Sequence, residues 1–220
     1  MLTPRAAALV ACAAALTACS TARPPTQPDI ARVADLKSQF GPEFHVTAVA
    51  PAGIDPKALS GQPVPPGVTI EPPDCAKFAN GISVPAGLHG NMAATTAEGN
   101  GNRFIAIAVE TSEPIPFADP GPACKLVSYT GPGVRGQVEV VDSPHIDGAR
   151  VLGTHRVVQT AMPGGPPRVG ELFNYVASFD TFLVMVTANP LVVPDKPPAP
   201  VDVQKAKDLL TAAVAAVRGN

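Results

Sequence analysis

Apolar and polar positions divide the chain into a short apolar run, a proline-rich gap and a long stretch of brief apolar segments separated by turns. Residues 29–40 place Ile30, Val33, Ala34 and Phe40 at helical spacing, with Asp29 positioned to cap the first turn and Gly41-Pro42 to end it. Residues 44–49 alternate apolar and polar side chains, which predicts a half-buried strand. Residues 50–73 are dense in proline and glycine and predict a long loop. A short capped helix is expected at 74–80, where it would position Cys75.

Strand signals strengthen from Arg103 onward. Residues 104–109 form a continuous apolar run of strand length, as in the middle of a sheet. Residues 125–130 and 134–141 flank Gly131-Pro132-Gly133 and read as a hairpin, and 149–160 give a further strand. Residues 172–179 and 182–187 pair naturally around Asp180-Thr181. Beyond the proline-rich stretch 190–200, residues 201–218 predict a helix with Val203, Ala206, Leu209, Leu210, Ala213, Val214 and Val217 on its apolar face. Antiparallel strands with helices that must each bury one face predict a single α+β domain over 29–220. It is expected to be a mainly antiparallel sheet packed by an N-terminal and a C-terminal helix and held by one disulfide. No internal repeat is present.

The first 18 residues have a short basic start, an apolar run from Ala6 to Ala15 and small residues before Cys19, the signature of a secretory leader. The run is too short to span a bilayer, which takes about 20 residues. Residues 20–28 are polar, proline-rich and aperiodic, so 19–28 should be an extended tether.

Composition narrows the function. Charged residues are only 15%, with 16 basic against 18 acidic, so no polycationic face exists. Tryptophan is absent and there are two tyrosines, leaving few aromatic platforms for bases. Nucleic acid is not an expected partner. The 27 prolines and 19 glycines imply many turns and irregular connections.

Four cysteines divide among three roles. Cys12 lies within the leader and is discarded with it, and Cys19 stands at its end. Cys75 and Cys124 remain in the exported domain, where paired cysteines normally join. A redox pair would favour C-x-x-C, and structural zinc four clustered ligands; neither pattern occurs.

Candidate chemistry is sparse. Residues 131–136 fit G-x-G-x-x-G, but a dinucleotide site needs that loop to open a helix, and here a strand follows. Asp142, His145, Asp147 and His155 lie close in sequence, and His145 with Asp147 could offer two metal ligands, short of the three or four a site needs. His45 and His89 have no acidic or cysteine neighbour and are expected at the surface. No nucleophile elbow, zinc-protease motif or phosphate-binding loop occurs. A triad assembled from distant positions would draw on Ser128 or Ser178 with His145 or His155. The apolar strands 104–109 and 182–186 are expected to build a filled core. Phe173, Tyr175 and Phe179 on one strand face, with Met162 and Met185, are the residues that could instead line an acyl-chain cavity.

Leu16-Thr17-Ala18-Cys19 resembles the bacterial lipobox, and this resemblance implies that the Cys19 thiol is lipidated and the leader, 1–18, is cut in front of it. Together with the tether, the helix near the domain start, Pro72-Pro73-Asp74-Cys75 and Cys124, the layout resembles the small cell-envelope lipoproteins of mycobacteria and related actinobacteria. Some of those carry a domain of unknown function, and others are similar to extracellular sensor domains of mycobacterial receptor kinases. The closing hairpin and helix resemble the Mog1/PsbP-type fold. These resemblances imply a lipid-anchored protein on the outer face of the cytoplasmic membrane; with no catalytic or cofactor motif in the sequence, no cofactor is expected. Its domain is expected to be non-catalytic and to bind an envelope protein or an apolar small molecule, as a sensor-like accessory or a lipid carrier; an envelope hydrolase is the third possibility.

Overall fold

The computed structural model describes residues 27–55, 59, 63–82, 84, 85, 87–116, 119–193 and 196–220. The expected leader, Cys12, Cys19 and the tether up to residue 26 lie outside them.

The chain opens on a 3-10 helix, Ile30–Gln39, capped by Asp29, whose carboxylate accepts from the Ala31 N–H at 2.8 Å. Its buried residues are Ile30, Val33 and Leu36. Their spacing of three is what a helix with three residues per turn aligns on one face. This corrects the expected face at one position: Leu36 takes the place of Ala34, while Phe40, at the end of the helix, packs partly buried against the same core.

Nine strands follow: β1 (His45–Gly53), β2 (Thr69–Glu71), β3 (Gly90–Gly99), β4 (Asn102–Thr111), β5 (Leu126–Gly131), β6 (Val134–Val141), β7 (Arg150–Met162), β8 (Gly165–Phe179) and β9 (Phe182–Pro190). They form one antiparallel sheet in the order β1-β3-β4-β9-β8-β7-β6-β5-β2. Two α-helices, α1 (Ala76–Ala79) and α2 (Val203–Arg218), and two further one-turn 3-10 helices, Pro73–Cys75 and Pro122–Cys124, complete the elements of the described residues. The domain is therefore the expected α+β sheet with a helix from each end. The hairpin turns at 131–134 and 179–182 fall where the pattern places them.

Three strand features depart from the pattern. β1 extends to Gly53 and is almost wholly exposed, because it is an edge strand. β2 lies inside the expected loop, three residues long, at the opposite edge. β3 has no counterpart among the predicted strands, since its buried positions are Ala93, Thr95 and Ala97 and carry little β signal. Small side chains are what the position requires: the 3-10 helix packs over them, and the Thr95 hydroxyl donates to Val33 O at 2.9 Å.

Both terminal helices cover the same face of the sheet. They bury Phe104, Ala106 and Ala108 of β4, Tyr175, Ala177 and Phe179 of β8, and Val184, Val186 and Ala188 of β9. Six of the seven residues expected on the apolar face of α2 are buried, Val203 being only partly so. The Asp29 N–H donates to Val217 O at 2.8 Å and ties the two helices together. Phe40, Phe44 and Phe104 form a ring cluster with centroids 5.1–6.1 Å apart, over which the Lys205 ammonium rests. Arg218 closes the other end, over the Phe179 ring and bonded to Asp147 O and Gly148 O. Packing is close enough that a Cβ on Gly153 would meet the Tyr175 ring at 2.8 Å.

The opposite face has no long helix among the described residues. Near β5–β7 it is covered by α1, with Cys75, Phe78, Ala79, Val127, Tyr129 and Val138 in one buried cluster. The Cys75–Cys124 disulfide joins α1's lead-in to the segment before β5, its Cα atoms 5.5 Å apart. Over β4, β9 and β8 the cover is made of loop residues from the stretches between β1 and β3, after β4 and after β9.

Candidate functional site: a cavity beneath the loops

Between the loop cover and the sheet lies a cavity of about 660 Å3, inside the range of about 300–1,000 Å3 usual for small-molecule sites. Its roof includes Leu59, Phe78, Ile82, Ile115 and Val192. Alternation along the strands decides its floor, because each strand sends one residue to the helices and the next to the loops.

The register arranges the floor in bands. Ile107, Met185, Val176 and Leu152 stand side by side across β4, β9, β8 and β7 as an apolar band. One pleat away, Ile105 is followed by Thr187, Asn174 and Thr154, a band of hydrogen-bonding groups. The next pleat carries Arg103 beside Asn189 on one flank and Leu172 beside Arg156 on the other. The floor thus grades from hydrocarbon to cationic.

Two of these polar groups stand out. Arg156 is 9% exposed, the one charged residue among the buried described residues. One Nη2–H donates to Ala79 O at the end of α1, and no carboxylate pairs with it among the described residues. Asn174 Oδ1 is buried with no hydrogen-bond partner. Arg103, in contrast, is neutralised by Glu98 at 2.6 Å and is about two-fifths exposed.

The residues singled out from the sequence fall elsewhere. His145 Nε2 pairs with Asp147 at 3.0 Å in the open, while Asp142 accepts from Lys207 at 2.7 Å. That ammonium holds the Asp142 carboxyl below its usual range and is itself raised by the pair. His155 stacks on Phe173 with centroids 4.1 Å apart and bonds Glu171 at 2.9 Å. The four candidate ligands are therefore not brought together, and the described residues contain no cluster of three or more metal-ligating side chains. The loop at 131–136 is the expected hairpin turn. No helix of the described residues is long and apolar enough to cross a membrane.

Of the residues that could have lined a cavity, Met185 does. Phe173, Tyr175 and Phe179 instead face or pack against the helix-covered core, and Met162 is exposed at the far end of β7. The expected filled core is thus correct for one face of the sheet only. Arg156 and Asn174 were missed; Asn174 is a polar residue between Phe173 and Tyr175 on the parity opposite to the helix-facing positions, whereas Arg156 follows Thr154 and His155 and has no such signal.

Fold and site together define a small α+β domain whose sheet carries a helix layer on one side and a ligand-sized cavity under loops on the other. The chain belongs to the family described as a domain of unknown function (DUF5642), which matches residues 29–218. The X-ray structure of an uncharacterized protein from Mycobacterium smegmatis is similar at 64% identity and a TM-score of 0.83, over 87% of this chain and 98% of that one. The extracellular domain of PknH from Mycobacterium tuberculosis aligns over 88% of this chain and 93% of its own at 14% identity, with a TM-score of 0.34, too distant to transfer a property. Among curated proteins nothing matches.

Proposed function

We propose that this protein is a non-catalytic binding domain, held on the outer face of the cytoplasmic membrane by a lipid on Cys19, that takes an apolar or amphipathic small molecule into the cavity. The cavity carries this reading: about 660 Å3 beneath loops, over an apolar band flanked by hydrogen-bonding groups, is how small-molecule sites are built.

Native mass spectrometry of the exported protein, compared with its denatured mass, tests the binding. Extra mass that survives only in the native spectrum, or uptake of an added amphiphile, is the expected result; the absence of both would overturn the ligand-binding reading. Fractionation tests the anchor separately. Cys19→Ser should release the protein from the membrane fraction, and continued retention would refute the lipid.

A further inference from the structure

The cavity's polar end specifies more than an apolar ligand. A guanidinium only 9% exposed, with one bond to a backbone carbonyl and no carboxylate beside it among the described residues, is an uncompensated buried charge. Such a group is costly unless an anion pairs with it. The adjacent strand offers the second requirement. Asn174 Oδ1 is a buried acceptor lacking a donor, and its register partner Thr154 lies two residues from Arg156 on the same face. Diagonal cross-strand neighbours of this kind sit about 7–8 Å apart, within reach of one polar head. Beyond them the floor turns apolar through Val176, Met185 and Ile107.

We propose that the ligand is an anionic single-chain amphiphile, its carboxylate or phosphate on Arg156, a hydroxyl or amide donor beside that head on Asn174, and its hydrocarbon along the apolar band. The proposal rests on the binding reading above and adds the charge and polarity of the head. Lys77 also lines the cavity, against Glu171 as the one carboxylate among the described lining residues.

The test uses the full chain carrying Cys19→Ser, so that neither its own acyl chains nor detergent competes for the site. Affinities for palmitate, 2-hydroxypalmitate and hexadecanol are measured by displacement of a fluorescent fatty-acid probe. Palmitate should bind about ten- to a hundredfold tighter than hexadecanol, the range for a hydrogen bond to a charged group. The 2-hydroxy acid should bind tighter still, and Asn174→Leu should remove that increment. Arg156→Gln should bring palmitate down to hexadecanol's affinity, with Arg156→Lys partly restoring the preference for the acid.

Equal binding of acid and alcohol by the unsubstituted cavity would overturn the anionic anchor while leaving the binding reading intact. No binding of any of the three would overturn both. If Arg156→Gln unfolds, as melting without ligand would reveal, the acid-to-alcohol ratio of the unsubstituted cavity decides the matter.

Discussion

The two faces of the sheet are built from alternate residues of the same strands, yet they end in opposite conditions. Tyr175 and Asn174 are neighbours on β8, one pointing to each side, and each has a buried oxygen without a partner. Tyr175 is fully buried in the cluster shared with the helices, its ring packed against Gly153. Asn174, its oxygen equally buried, is part of the cavity wall. The difference lies in the cover. A helix presents a regular stripe that interlocks with a pleated floor, whereas loops rich in proline and glycine bridge over the floor at few points. A sheet covered on one side by helices and on the other by loops can therefore be rigid and hollow at once.

Truncation should expose this asymmetry most strongly. Leu210, fully buried between α2 and the sheet, should cost about 3–5 kcal/mol as Leu210→Ala, the upper part of the range for large-to-small core changes. Met185→Ala, on the cavity floor, should cost about 2 kcal/mol, because its side chain already borders empty space and has fewer contacts to lose. Denaturant unfolding of both variants checks the contrast. Equal losses would mean that the floor is packed as tightly as the helix side.

The loop cover depends on the disulfide in a way the helix cover does not. Cys75→Ser and Cys124→Ser should each lower stability by about 4 kcal/mol, by loop-closure entropy across the sequence separation of 49. The two losses should match, since either breaks the same bond; unequal melting shifts, or free thiols in the unsubstituted protein, would refute the pairing. Amide exchange after reduction should rise first around α1 and β2, and late in α2.

How much of this could be read from the sequence follows the same division. The α2 face was legible residue by residue, because a long helix on a pleated floor leaves a 3.6 period, and the continuous apolar run of β4 signalled cover on both sides. The 3-10 helix was legible as an element but not in its period, so Leu36 was lost to Ala34. β3 was illegible because close approach of that helix selects alanine and threonine. The first part of β8, Gly165–Gly170, was hidden by its prolines and glycines and is ordered only by pairing with β7. The cavity was least legible: it is the absence of side chains above a floor, and the loops that form its roof have no period.

Glycine substitutions sharpen the comparison at smaller scale. Gly153→Ala on the helix side brings a methyl to 2.8 Å from the Tyr175 ring and 3.1 Å from Val141 O, and should cost about 1–3 kcal/mol. Gly170→Ala, on a strand that lines the cavity, meets nothing within 4 Å and should be neutral or stabilising by a few tenths of a kcal/mol. Urea midpoints for the pair measure the difference directly, and a loss at Gly170 like that at Gly153 would contradict an open floor.

The smallest effect concerns the phenol of Tyr175. Burial pushes its pKa above the usual 10.0, since the ionised form cannot be solvated among helix residues. A group whose folded pKa is raised keeps its proton in the folded state after the unfolded state has begun to lose it. Its contribution is therefore fully present below the unfolded pKa and is lost as pH rises through the folded one. Tyr175→Phe removes the orphan hydroxyl without opening space, so it should be neutral or stabilising by about 1 kcal/mol at neutral pH. Above pH 10 the variant should also lack part of the alkaline decline in melting temperature. An equally steep decline in the variant would assign that loss to other groups, whereas destabilisation at neutral pH would mean that the hydroxyl has a partner and that the helix side is less dry than its packing implies.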